Sequence, residues 1–146
     1  MFHNPPTTSI LSYSVVKDGF VRDNEVKVEM NPYKNLISFM KTDDRVKIEA
    51  KYVSQFRKWK YICIVYQYGM RIDVYVDGLL RDYKILKPSE ETRPIKGGGI
   101  LILGQEQDDY GKMFDSTESL SGTLSQVNIW SSLLNKCHYK CLTSVA

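Results

Sequence analysis

Histidine and cysteine are both scarce in this chain: two and three residues respectively among 146. His3 and His138 leave few candidates for a Ser/His/Asp triad, and no Gly-x-Ser-x-Gly turn is present to hold a nucleophile. Cys137-His138 with Cys141 makes at most half a zinc site. A structural zinc needs four ligands and only His3 is left over, so these read as tail residues. Cysteine usage does not fix the compartment. In an oxidising one, three cysteines (Cys63, Cys137, Cys141) leave one thiol without a partner in the chain; in a reducing one all three are free. No apolar run approaches the length that spans a bilayer. Met1-Phe2-His3-Asn4-Pro5-Pro6 lacks the charged-then-apolar pattern of a secretory leader. The net charge of +3 supplies neither a basic arm for nucleic acid nor an acidic tail. Lys96-Gly97-Gly98-Gly99 lacks the Lys-Ser/Thr that completes a phosphate-binding loop and reads as a strand entry. Internal repeats and low-complexity tracts are absent.

What remains is a strand-rich chain of single-domain length. Thr8–Val16 is β-branched and aromatic and ends at the turn cluster Lys17-Asp18-Gly19. Glu25–Met30 alternates strictly, with Val26, Val28 and Met30 on one face and charges on the other. Asn35–Met40 and Arg45–Tyr52 are further short strands. Tyr61–Tyr66 is apolar on both faces, as a central strand is. Gln67-Tyr68-Gly69 turns it into Arg71–Val76, and Asp77-Gly78 turns that into Leu79–Leu86. Gly97–Leu103 and Leu124–Trp130 are the last strands expected, and Pro88–Pro94 reads as a polar surface loop. At strand positions Trp59 and Trp130 read as core residues. Short strands separated by turns predict an all-β, antiparallel two-sheet sandwich. The expected division is an irregular segment over 1–7, a domain over 8–134 and a tail over 135–146.

Chemistry concentrates in Gly104–Glu118, which holds the carboxylates Glu106, Asp108, Asp109, Asp115 and Glu118. A hard cation such as Ca²⁺ takes six to eight oxygen ligands in flexible geometry, and a loop dense in carboxylates and amides supplies them. Without a cation these charges repel and lift some of their own pKa values. The spacing is not that of an EF-hand. On composition alone the loop reads as a solvated acidic surface loop, since most charged loops are only that.

Gly99–Leu134, GILILGQEQDDYGKMFDSTESLSGTLSQVNIWSSLL, resembles the signature stretch of the pentraxin family. There a strand ending in LGQEQD precedes an aromatic residue, a glycine, a Phe-acid pair and a strand ending in tryptophan. Upstream, Thr8–Tyr13 with Arg22-Asp23-Asn24-Glu25 is similar to the family's Ser-Tyr strand and Asp-Asn pair. Trp59–Gly78 is similar to its cysteine strand and Val-Asp-Gly turn. The resemblance implies a flattened jelly roll carrying two adjacent calcium ions. Asp23 and Asn24 would reach one ion. Glu106, the Gln107 carbonyl and Asp108 would hold the ions together, and Asp115 with Glu118 would complete the second. Glu118 stands where the family usually has glutamine.

The resemblance further implies non-enzymatic, calcium-dependent binding of phosphorylated or carbohydrate ligands by a secreted homo-oligomer. Glu29 falls at the family's apolar wall beside the ligand and is a poor wall for a choline group. A protein-binding adhesion module of the laminin-G-like class and an inactive fragment are the alternatives. The family domain is longer than this chain, which reads as truncated at both ends. On that reading Cys63 has lost its partner.

Overall fold

The computed structural model describes residues 7–42, 45–53, 58–88 and 94–134. Among the described residues, eight strands form two antiparallel sheets. The strands are β1 (Thr8–Lys17), β2 (Phe20–Asn31), β3 (Leu36–Lys41), β4 (Val46–Lys51), β5 (Ile62–Gln67), β6 (Arg71–Val76), β7 (Leu79–Ile85) and β8 (Ile100–Leu103). One sheet runs β4-β3-β2-β1-β8 and the other β5-β6-β7. No described helix is long and apolar enough to cross a membrane.

The turn residues set the hairpins. Asp18 and Gly19 lie at φ 53° and 79°, and Asp77 and Gly78 at 53° and 76°. Each pair closes a two-residue loop, with Lys17 opposite Phe20 and Val76 opposite Leu79. A left-handed pair matches the twist of the flanking strands, which is why Asp-Gly serves here.

Alternation decides the faces. Val26, Ile37, Phe39, Val46 and Ile48 point from the five-stranded sheet onto Ile72, Val74 and Val76 of the smaller one. The ring centroids of Phe39 and Tyr66 meet across the gap at 5.8 Å. Burying such side chains contributes about 1.5–3 kcal/mol each.

β2 departs from regularity where the site begins. Tyr13 pairs with Val26 and Val15 with Arg22, so Asp23, Asn24 and Glu25 lie opposite Ser14 alone. A bulge re-aims the side chains that follow it. Here it buries Glu25 completely beside Lys41, whose Nζ lies 4.0 Å from Glu25 Oε1. Lys41 Nζ also donates to Thr42 Oγ1 at 3.2 Å and lies over the Tyr66 ring.

Three sequence expectations fail. Leu124–Trp130 is extended in composition but pairs with no described strand, and Gln126 sits at φ 52°, which interrupts a ladder. Trp59 and Trp130 are exposed, at 68% and 46%, not core. β5 is an edge of its sheet among the described residues, and all six of its residues are only partly buried. Cys63, on β5, carries a free, half-buried thiol whose pKa burial pushes up. Residues 1–6, most of the Pro88–Pro94 loop, and the tail with Cys137, His138 and Cys141 lie outside the described residues.

Candidate metal centre

The outer face of the five-stranded sheet carries the site. Lys27 stands opposite Ser12 on one side and Met40 on the other, and Glu29 lies two residues along on the same face. Chain reversal at Gly104, at φ 76°, folds the acidic loop back over this face. Gly104 N donates to Ile10 O at 2.9 Å, and Leu120 N donates to Gly104 O at 2.8 Å, so both ends of the loop are fixed.

Gln107 fastens the middle. Its side chain is fully buried. Nε2 donates to Ser12 O at 3.1 Å and to Ile100 O at 3.0 Å, and Oε1 accepts from Gly111 N at 2.9 Å. Gly111 has φ 68°, and a Cβ there would lie 3.0 Å from Ile100. The side chain of Gln107 is therefore a structural peg. Only its backbone carbonyl was assigned a role from the sequence.

With the loop pinned, Glu106, Asp108 and Glu118 converge, their oxygens all within 4.8 Å of one another. Glu106 is buried, Glu118 half-buried and Asp108 exposed. Burial comes first among the causes that push the Glu118 carboxyl up to about 7. The close approach of the Glu106 carboxyl and the charges of Glu106 and Asp108 add to it, and Lys27 opposes it. Glu118 Oε2 is buried with no hydrogen-bond partner.

The remaining expected ligands are disposed differently. Asp23 and Asn24 lie on the β2 bulge, where Asn24 N donates to Asp23 Oδ1 at 3.1 Å. Asn24 Oδ1 is buried and has no partner. Asp115 caps the short 3-10 turn Ser116–Glu118. Its Oδ1 accepts from Thr117 N at 2.8 Å and from Thr117 Oγ1 at 2.7 Å, which holds its pKa below the usual range.

Lys27 was missed. Its Nζ lies 2.5 Å from Glu106 Oε1 and 3.1 Å from Glu29 Oε1, with the three side chains 12%, 4% and 13% exposed. Burial works against the ammonium, but hydrogen bonding to Glu106 and the charges of Glu29 and Glu106 outweigh it, and the pKa is raised. The alternation in Glu25–Met30 placed Lys27 on the polar face. It could not show that the acidic loop would cover that face.

The donor set suits a hard cation. It consists of carboxylate and amide oxygens without sulfur or imidazole. Two of its buried oxygens, Glu118 Oε2 and Asn24 Oδ1, have no hydrogen-bond partner among the described residues. Buried polar atoms are nearly always satisfied, so the orphaned Glu118 oxygen beside Glu106 and Asp108 marks a place where a cation fits.

A Pentaxin family model matches residues 4–146. The chain belongs to the pentraxin family. It is 27% identical over 141 residues to C-reactive protein 3.3 of Limulus polyphemus, an alignment that covers 96% of this chain and 56% of that protein. It is 45% identical over 80 residues to neuronal pentraxin-2 of Homo sapiens, covering 53% of this chain and 18% of that one. Over 87 residues it is 39% identical to a Sushi, von Willebrand factor type A, EGF and pentraxin domain-containing protein of Rattus norvegicus, covering 59% of this chain and 2% of that one. The crystal structure of a native heptameric SAP-like pentraxin from Limulus polyphemus superposes with a TM-score of 0.77 at 23% identity. It covers 96% of this chain and 64% of that one, and shows that the fold is shared. This pentraxin chain spans little more than half the length of the Limulus relative, 56%.

Proposed function

We propose that this chain is a non-enzymatic, calcium-dependent recognition module. Calcium is held by Glu106, Asp108 and Glu118, with Asp23, Asn24, the Gln107 carbonyl and Asp115 as the remaining candidate ligands. Bound calcium supplies positive charge and open coordination positions, and phosphate or carbohydrate oxygens fill them. The observation that carries the reading is the convergence of three carboxylates within 4.8 Å around a buried, unpartnered Glu118 oxygen. Family membership supports an extracellular setting. The heptameric state of the Limulus SAP-like pentraxin supports assembly into a ring, where multivalency turns weak single-site contacts into avidity.

Calorimetric titration with calcium chloride tests the reading. Calcium gives a binding isotherm and raises the melting temperature, and Asp108→Asn abolishes both. No heat and no thermal shift at millimolar calcium would sink it.

A second reading, a pentraxin-type module within a larger adhesion or receptor protein, draws on the match to the multi-domain Rattus norvegicus relative. In that case the sandwich binds a protein partner whether or not calcium is present, and calcium chelation leaves binding intact.

A further inference from the structure

Lys27 is a cation already standing among the carboxylates. We propose that its ammonium takes one of the two cation places implied by the family resemblance, so that the centre holds one calcium ion. The inference rests on the calcium reading above and deepens it.

Geometry comes first. Lys27 Nζ lies 2.5 Å from Glu106 Oε1. Calcium sits about 2.3–2.6 Å from its oxygen ligands. The ammonium therefore holds the position at this oxygen that a calcium ion would need. Glu106 is one of the groups, with the Gln107 carbonyl and Asp108, expected to hold two ions together, and one of its oxygens already accepts from Lys27. The second contact, to Glu29 Oε1 at 3.1 Å, anchors the ammonium from the sheet side. The Lys27 backbone cannot follow an outgoing side chain, because ladders to β1 and β3 hold it on both sides.

Charge points the same way. A second divalent ion at Glu106 would stand beside an ammonium that is only 12% exposed. A like charge in a poorly solvated position is costly unless it is paired, and the partner of Lys27 would then be shared with two metal ions. Glu29 also acquires a role on this reading. It retains the lysine and is not a wall for an apolar ligand group.

The experiment is a calcium chloride titration of the whole chain, with the bound ions counted by calorimetry and by native mass spectrometry. Wild type takes one ion. Lys27→Arg keeps the count at one. Lys27→Met vacates the place and takes two, and it melts lower than wild type in chelator but recovers in calcium. A wild-type count of two overturns this inference alone and leaves the calcium reading standing. An unchanged count and affinity in Lys27→Met also overturns it alone. If Lys27→Met does not fold, the counts for wild type and Lys27→Arg decide. A wild type that binds no calcium overturns both this inference and the reading beneath it.

Discussion

The side-chain amide of Gln107 donates to the carbonyl of Ser12 at 3.1 Å across 95 residues of chain, and this contact ties the middle of the acidic loop to β1. The same side chain bridges Ile100 and Gly111, so three backbone groups depend on it.

Gln107→Ala leaves those groups without their partner. Each lost buried hydrogen bond costs on the order of 1 kcal/mol, and more where the remaining group stays dry. Chemical denaturation of the variant gives a lower midpoint, and its calcium affinity falls although no carboxylate has changed. An affinity equal to wild type would show that the loop keeps its shape without the peg.

A pH dependence follows from Glu118 in the metal-free protein. Its folded pKa of about 7 lies above the ordinary value of 4.5. A carboxyl raised in this way favours the folded state below the unfolded pKa, and that contribution is lost as pH rises towards the folded one. The groups facing it are Glu106 and Asp108, which reinforce the shift, and Lys27, which opposes it. With chelator present, melting temperature therefore declines between pH 4.5 and 7 by the share that Glu118 contributes. Glu118→Gln, which stays neutral, flattens that part of the profile. A slope equal in variant and wild type would assign it to other groups.

Glu25 and Lys41 form the deepest ion pair described, both side chains fully buried and 4.0 Å apart. Removing one partner of a buried pair costs about 3–5 kcal/mol, because the other charge stays dry. Glu25→Gln is expected to lose that much in urea unfolding. It keeps an amide oxygen that can accept from Lys96 N, as Glu25 Oε1 does at 3.1 Å. Adding Lys41→Met costs less than the sum of the two single changes, since each single change already removes the attraction between the two charges. Strict additivity would mean the two charges do not interact.

Much of the architecture was readable from the sequence because period-2 alternation and Asp-Gly turns are local properties. Arg71–Val76 is β6 with the same bounds, and Thr8–Val16 is β1 to within one residue. Leu124–Trp130 has the same alternating composition and is not a strand. A strand is defined by its neighbour, and composition does not say whether one is present. The same limit applied to the site. The loop Gly104–Glu118 was visible as a cluster of oxygens. Three of its acids converge, but Asp115 turns to Thr117, and Lys27 enters from a strand 79 residues away. Alternation told that Lys27 faces away from the core. Only the folded chain shows that this side of the sheet is roofed.

That roof would give a bound metal a mechanical office. Glu106 and Lys27 close a loop of chain from β2 to beyond β8. A calcium ion drawing Asp23 or Asn24 towards the acidic loop would close nearly the same loop as a reversible clasp. Where calcium is scarce the middle of the loop is held by Lys27 and Gln107. The exposed stretch around Met113 and Phe114 is then open to a protease. Restoring calcium should slow that cleavage, and the rate of nicking would report the state of the clasp with no ligand needed.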